Sequence, residues 1–256
     1  MRVTCVQLEI KERPKQETLN HALKLLEESG DNDLILLPEL WPIGYFSFER
    51  YESESESIDG PTVIAIREKA ASIKSHILMG SFVEKDGAHL FNTSVLLDPQ
   101  GGIAAKYRKI HLFGYQSKER RLLKAGKAPA VADLPWGRAG ISTCYDLRFP
   151  ELFRKMLDRG TTFFMIPSAW PYERLETWTL FNRVRAHENL AYLFSCNGAG
   201  INAGTKLAGH SMIVDPLGKV IAEGGEGECF VSAEIDPGFV DVVRKEFSFL
   251  DDRVFP

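Results

Sequence analysis

The sequence predicts an α/β protein whose β-sheets lie buried between helices. Three observations carry that expectation. Many strand-like runs are apolar throughout instead of alternating, which marks strands covered on both faces. They alternate with segments whose apolar residues recur at helical spacing. The 256 residues, 44% hydrophobic and 26% charged, have an ordinary globular composition with material for a large core, read as one domain over residues 1–256.

Val3 to Leu8 reads as a strand, and Glu17 to Glu28 as a helix with Leu19, Ala22, Leu23 and Leu26 at helical spacing. Asp33 to Leu37 is a short apolar strand ending at Pro38. The alternating run Glu52 to Ser57 reads as a solvated loop. A second helix spans about Thr62 to Lys74, followed by strands near Ile77 to Val83, Thr93 to Asp98 and Ile103 to Arg108, with Gly101-Gly102 after Asp98-Pro99 marking a hairpin. After a less regular stretch come a strand at Gly140 to Thr143 and a helix from Phe149 with Leu152, Phe153, Met156 and Leu157 on one face. Strand Thr162 to Ile166 and a helix from about Glu173 to His187 follow. Strands near Ala191 to Cys196, Ser211 to Asp215, Val220 to Ala222 and Glu228 to Ile235, with a helix from Pro237, complete the pattern. No short internal repeat and no Gly/Ser/Pro-rich linker interrupts it.

The net charge of −4 and a pI near 5.9 supply no basic field, which excludes nucleic acid as an expected partner. No run approaches the roughly 18 apolar residues of a membrane span, so the chain reads as cytoplasmic with no membrane partner. Four scattered cysteines without a CxxC pair read as reduced, with Cys5, Cys196 and Cys229 in apolar strand-like runs of the core. Six histidines form neither HExxH nor a close pair, so no metal is expected, and no GxGxxG or P-loop follows a strand, so no cofactor is expected.

The remaining cysteine is different. Cys144 lies in Ser142-Thr143-Cys144-Tyr145-Asp146-Leu147-Arg148-Phe149-Pro150-Glu151, between a strand and a helix, where helix N-terminal N–H groups would favour a thiolate and bind an oxyanion. Glu39, in Pro38-Glu39-Leu40-Trp41, also follows an apolar strand, as does Lys109 in Lys106-Tyr107-Arg108-Lys109-Ile110-His111-Leu112-Phe113. Strand ends are where open α/β sheets place their sites. A Cys–His hydrolase is the rival: His111 or His187 would then serve as base, although nothing in their local pattern separates either from a structural histidine.

The contexts PEL, YRKxHLF and CYDxRFPE resemble the nitrilase superfamily of carbon–nitrogen hydrolases, with its Glu-Lys-Cys triad, and the likeness extends over nearly the whole chain. The resemblance implies a four-layer α-β-β-α sandwich with two central mixed sheets, and a homodimer or higher homo-oligomer. It assigns Cys144 as nucleophile, Glu39 as general base and Lys109 with the Tyr145 N–H as oxyanion donors. Glu119, seven residues before Gly126, matches a second family glutamate that positions the lysine and the substrate nitrogen. A catalytically silent binding protein is the non-enzyme alternative, and it need not keep all four residues.

Within the superfamily, CYDLRFPE, Ser168-Ala169-Trp170-Pro171 and the stretch from Ala208 to Gly218 are similar to the omega-amidases, which act on the terminal amide of 2-oxoglutaramate and succinamate. Deaminated-glutathione amidases and N-carbamoyl amino-acid hydrolases share these features in part. A substrate carboxylate requires a cation, and Arg148 is the candidate, the alternative being an ion pair with Glu151. Trp41, Tyr45 and Trp170 are candidate pocket walls, of which Tyr45 and Trp170 are taken as substrate-binding.

Overall fold

The computed structural model describes residues 1–255. In chain order, β1 (Arg2–Gln7) and the short β2 (Glu9–Ile10) precede α1 (Lys15–Glu28), β3 (Leu34–Leu36) and α2 (Pro61–Ile73), and β4 (His76–Asp86), β5 (His89–Leu97) and β6 (Ile103–Arg108) form a meander. The one-turn α3 (Glu119–Leu122) leads to the hairpin of β7 (Ala130–Leu134) and β8 (Gly137–Ile141), then α4 (Pro150–Leu157), β9 (Phe163–Ser168), α5 (Leu175–Glu188) and β10 (Tyr192–Asn197). The small strands β11 (Ala199–Asn202) and β12 (Thr205–Lys206) are followed by β13 (Met212–Val214), β14 (Val220–Glu223), β15 (Cys229–Glu234) and α6 (Phe239–Glu246).

Two six-stranded mixed sheets, ordered β15-β1-β3-β4-β5-β6 and β14-β13-β10-β9-β8-β7, pack face to face. Helices α1 and α2 cover the outside of the first sheet and α4 and α5 the outside of the second, which is the four-layer α-β-β-α sandwich. At the centre of each sheet, three parallel strands are joined by helical crossovers, β1-α1-β3-α2-β4 and β8-α4-β9-α5-β10, with antiparallel strands on either side. The halves therefore share one topology without sharing a recognisable sequence repeat.

Strand β3 shows why the central runs are apolar throughout. Leu34 and Leu36 join the core between the sheets with Val3, Phe194 and Cys196, whereas Ile35 and Leu37 meet Ala22, Leu26, Val63 and Ile66 of the helices. Full burial of each such side chain is worth roughly 1.5–3 kcal/mol. Just beyond β3, Glu39 is positioned by a bulge in β4 between Leu78 and Ser81. Gly80 in that bulge has φ +68°, and a Cβ there would run into the Leu37 and Pro38 carbonyl oxygens. This close approach lets Ser81 N–H donate to Pro38 O (3.2 Å), Leu40 N–H to Ser81 Oγ (2.9 Å) and Trp41 Nε1–H to Met79 O (2.8 Å).

The structure departs from the sequence expectations in several places. The strands β2, β7, β11 and β12 and the helix α3 were not anticipated: most span four residues or fewer, too short for a period to register. Within the Glu52 to Ser57 run, Glu56 is buried, held by Lys15 Nζ at 2.8 Å and capping α2 by accepting from Thr62 N–H at 2.9 Å. Cys229 is only half-buried, on a strand at the sheet edge, while Cys5 and Cys196 are fully enclosed.

Candidate active site

Glu39 follows β3, Lys109 and Glu119 lie between β6 and β7, and Cys144 follows β8, and the four converge on one place. Lys109 Nζ donates to Glu39 Oε1 at 2.8 Å and to Glu119 Oε1 and Oε2 at 2.9 and 3.1 Å. All three side chains are fully buried. Burial opposes the Lys109 ammonium, but Glu119 and Glu39 outweigh it and hold its pKa well above the ordinary value. Burial pushes the Glu119 carboxyl up, with Lys109 opposing and Glu39 adding to the rise. Glu119 also accepts Phe113 N–H at 2.6 Å and Tyr45 O–H at 3.2 Å, tying the loop after Lys109 to the site.

Cys144 opens a 3₁₀ turn, Cys144–Arg148, at the end of β8 and has φ +47°, a left-handed conformation that a non-glycine residue adopts at a cost of about 1–3 kcal/mol. Asp146 holds that turn. Its carboxylate accepts Thr143 N–H at 2.8 Å, Tyr107 O–H at 2.6 Å and His111 N–H at 3.1 Å, and His111 Nδ1 lies 2.7 Å away. The turn thus brings Cys144 to the pocket that Lys109 and Ala169 also line.

The expectation of a thiolate favoured by a helix terminus is corrected here. The following α-helix begins only at Pro150, and burial together with Glu39 raises the Cys144 pKa well above the ordinary thiol value, although Lys109 opposes this. Neither histidine of the Cys–His alternative is placed as the base for Cys144: His111 pairs with Asp146 and stacks on Phe149 at 3.7 Å, and His187 packs near Phe249.

A pocket opens above Cys144 and Lys109, walled by Tyr45, Phe113, Tyr145 and Trp170, with Arg148 and Arg174 at its rim. Among the described residues Arg148 has no ion pair, and its guanidinium lies 5.0 Å from the Trp170 ring centre and 5.2 Å from that of Phe181. The Glu151 pairing is therefore not formed. Burial, with Arg174 nearby, lowers the Arg148 pKa, so an arriving anion would be welcome. Trp41 is no pocket wall: it is fully buried in the helix-side core.

Sequence reasoning missed two residues that join these groups, Asn92 and Asp146, and the rim residue Arg174. Asn92 Nδ2 donates to Glu39 Oε1 at 2.8 Å and to Glu119 Oε1 at 3.2 Å. The available signal was the polar run Asn92-Thr93-Ser94 in the middle of strand β5, where all three residues are buried. Ala169 N–H, which donates to Glu39 Oε2 at 3.1 Å, is a backbone group and leaves no trace in residue type. No group of His, Cys, Asp and Glu among the described residues is arranged to hold a metal ion.

This fold and site define a class. The carbon-nitrogen hydrolase family profile matches residues 2–245, and the chain belongs to that family. It is accordingly a hydrolase of carbon–nitrogen bonds in amides. It is 36% identical to the 2-oxoglutaramate amidase of Paenarthrobacter nicotinovorans over 93% of this chain and 84% of that one. It is 35% identical to the 2-oxoglutaramate amidase of Bacillus subtilis (strain 168) over 98% of this chain and 96% of the relative. The crystal structure of Saccharomyces cerevisiae Nit3, a member of branch 10 of the nitrilase superfamily, superposes with a TM-score of 0.91 at 31% identity, covering 100% of this chain and 97% of that one.

Proposed function

We propose that this protein releases ammonia from the terminal amide of a short carboxylate-bearing substrate, 2-oxoglutaramate or succinamate, through a thioester on Cys144. The observation that carries the reading is one narrow pocket with Cys144 and Lys109 at its floor and an unpaired Arg148 at its rim. Relatives named 2-oxoglutaramate amidase support the choice of substrate.

Cys144 attacks the amide carbon as Glu39 takes the thiol proton, and the negative oxygen of the tetrahedral intermediate is received by Lys109 Nζ and the Tyr145 N–H. Each such donor is worth about 3–4 kcal/mol to the transition state. The intermediate collapses with cleavage of the C–N bond, and Glu39 returns its proton to the departing nitrogen, which leaves as ammonia. Water, deprotonated by Glu39, then attacks the thioester, and the acid departs as the thiol is restored. Glu119 positions Lys109 and faces the leaving nitrogen, Arg148 receives the distal carboxylate, and Tyr45 and Trp170 select an unbranched acyl chain. The balance is amide plus water to acid plus ammonia, and no step uses a metal or cofactor.

The exposed apolar residues Leu180 and Val184 on α5, beside Leu217, support a homodimer through that face. Ammonia release from 2-oxoglutaramate, succinamate, deaminated glutathione and N-carbamoyl amino acids, with Cys144→Ala as control, tests the substrate. Turnover of the first two is expected. Activity confined to the others would overturn the omega-amidase reading and leave the amidohydrolase chemistry in place.

A further inference from the structure

We infer that Asn92 is a positioning residue of the reaction: it occupies one oxygen of Glu39 so that the other is left to take the Cys144 proton. The inference rests on the catalytic roles proposed above.

Asn92 lies on β5, 1% exposed, and is not part of the pocket lining. Its backbone oxygen accepts Lys109 N–H at 2.9 Å, and its side-chain amide donates to Glu39 Oε1 at 2.8 Å and to Glu119 Oε1 at 3.2 Å. Lys109 Nζ donates to the same two oxygens, at 2.8 and 2.9 Å. Two donors therefore cross-brace two carboxylates in a closed ring. With Glu39 Oε1 saturated by both, Oε2 remains, steadied by Ala169 N–H at 3.1 Å. Cys144 and Ala169 line the same pocket, together with Lys109.

The amide's orientation is dictated by this task. Both N–H groups are committed to carboxylates, while the buried Oδ1 has no partner among the described residues. Leaving an acceptor unsatisfied is costly, and a residue serving only the strand would have no reason to turn that way. The titratable groups facing Glu39 are Lys109 and Glu119 from the β6–α3 segment, Cys144 from the turn after β8, and Tyr45 and Tyr51 from its own connection; β9 contributes only a backbone N–H.

The test compares wild type with Asn92→Leu and with the isosteric Asn92→Asp, reading the pH dependence of Cys144 alkylation by iodoacetamide together with kcat and KM for an amide. Losing an N–H donor favours the protonated carboxyl, so the acid limb of both profiles moves to higher pH, by about one unit in Asn92→Leu and further in Asn92→Asp, where a third carboxylate joins the cluster. At pH 7 kcat falls by about 10- to 100-fold, with KM changed less than about threefold. Acid limbs at or below the wild-type pH, with only thermal stability or active fraction reduced, overturn the inference and leave Asn92 a packing residue. If Asn92→Leu does not fold, the Asn92→Asp limb decides. A wild-type protein that turns over no amide defeats the proposed function instead, and the alkylation limb still decides the role of Asn92.

Discussion

At the scale of single residues, burial and Glu39 both push the pKa of the Cys144 thiol up, and Lys109 opposes them. Glu39→Gln removes the base and should lower kcat at pH 7 by about 10²- to 10⁴-fold. Because hydroxide can then generate the thiolate directly, the variant's rate should keep climbing with pH where the wild-type profile is flat; a pH–kcat series checks both slopes. Arg148→Leu is expected to raise KM for succinamate by about 10- to 100-fold and to leave turnover of an uncharged short-chain amide near the wild-type level, read from steady-state kinetics on the pair. Asp146→Ala strips the acceptor from two buried donors and one part-buried donor and should cost about 1–3 kcal/mol of stability in a denaturant titration, with activity lost as the Cys144 turn loosens.

At the scale of elements, two features of the first sheet make distinct predictions. The β4 bulge exists because Gly80 brings its backbone against the end of β3, so Gly80→Ala should displace Glu39, with kcat lost more steeply than melting temperature. Beside it, burial opposes the Glu84 carboxylate, but hydrogen bonds from Arg108 and Thr93 and the charge of Lys106 prevail and lower its pKa. A carboxylate depressed in the folded state contributes stability that is whole above its ordinary value of 4.5 and is lost as the pH falls through the folded value. Glu84→Gln should therefore flatten the acid side of the stability–pH curve, measured by urea unfolding from pH 6 downward.

At the scale of the whole molecule, two topologically matching halves place the ends of β3 and β9 beside that of β8, and the site is built from all three ends together with the loop after β6. The outer faces are mostly sealed by helices, yet α5 leaves Leu180 59% exposed. Leu180→Asp should convert a dimer to a monomer in light scattering while the monomer retains its secondary structure. A wild-type protein that is already monomeric would refute the dimer reading.

Element type was legible in the chain because period and composition are local: the apolar runs of β1, β3, β9 and β10 and the stripes of α1, α2 and α4 lie close to where the spacing predicted them. Glu39, Lys109 and Cys144 each follow an apolar run, and it was their joint resemblance to the family's motifs, which also supplied Glu119, that singled them out. What tertiary structure alone decided was which groups meet. Asn92 is one of three consecutive polar residues in β5 until its amide is seen to reach two carboxylates, and the part of Asp146 appears only when Tyr107 of β6 and His111 beyond it are seen to reach its carboxylate. The direction of the Cys144 pKa shift was likewise undecidable from spacing, because desolvation and the nearness of Glu39 depend on enclosure by the whole fold. Local order follows from neighbours in the chain, whereas electrostatics follows from neighbours in space.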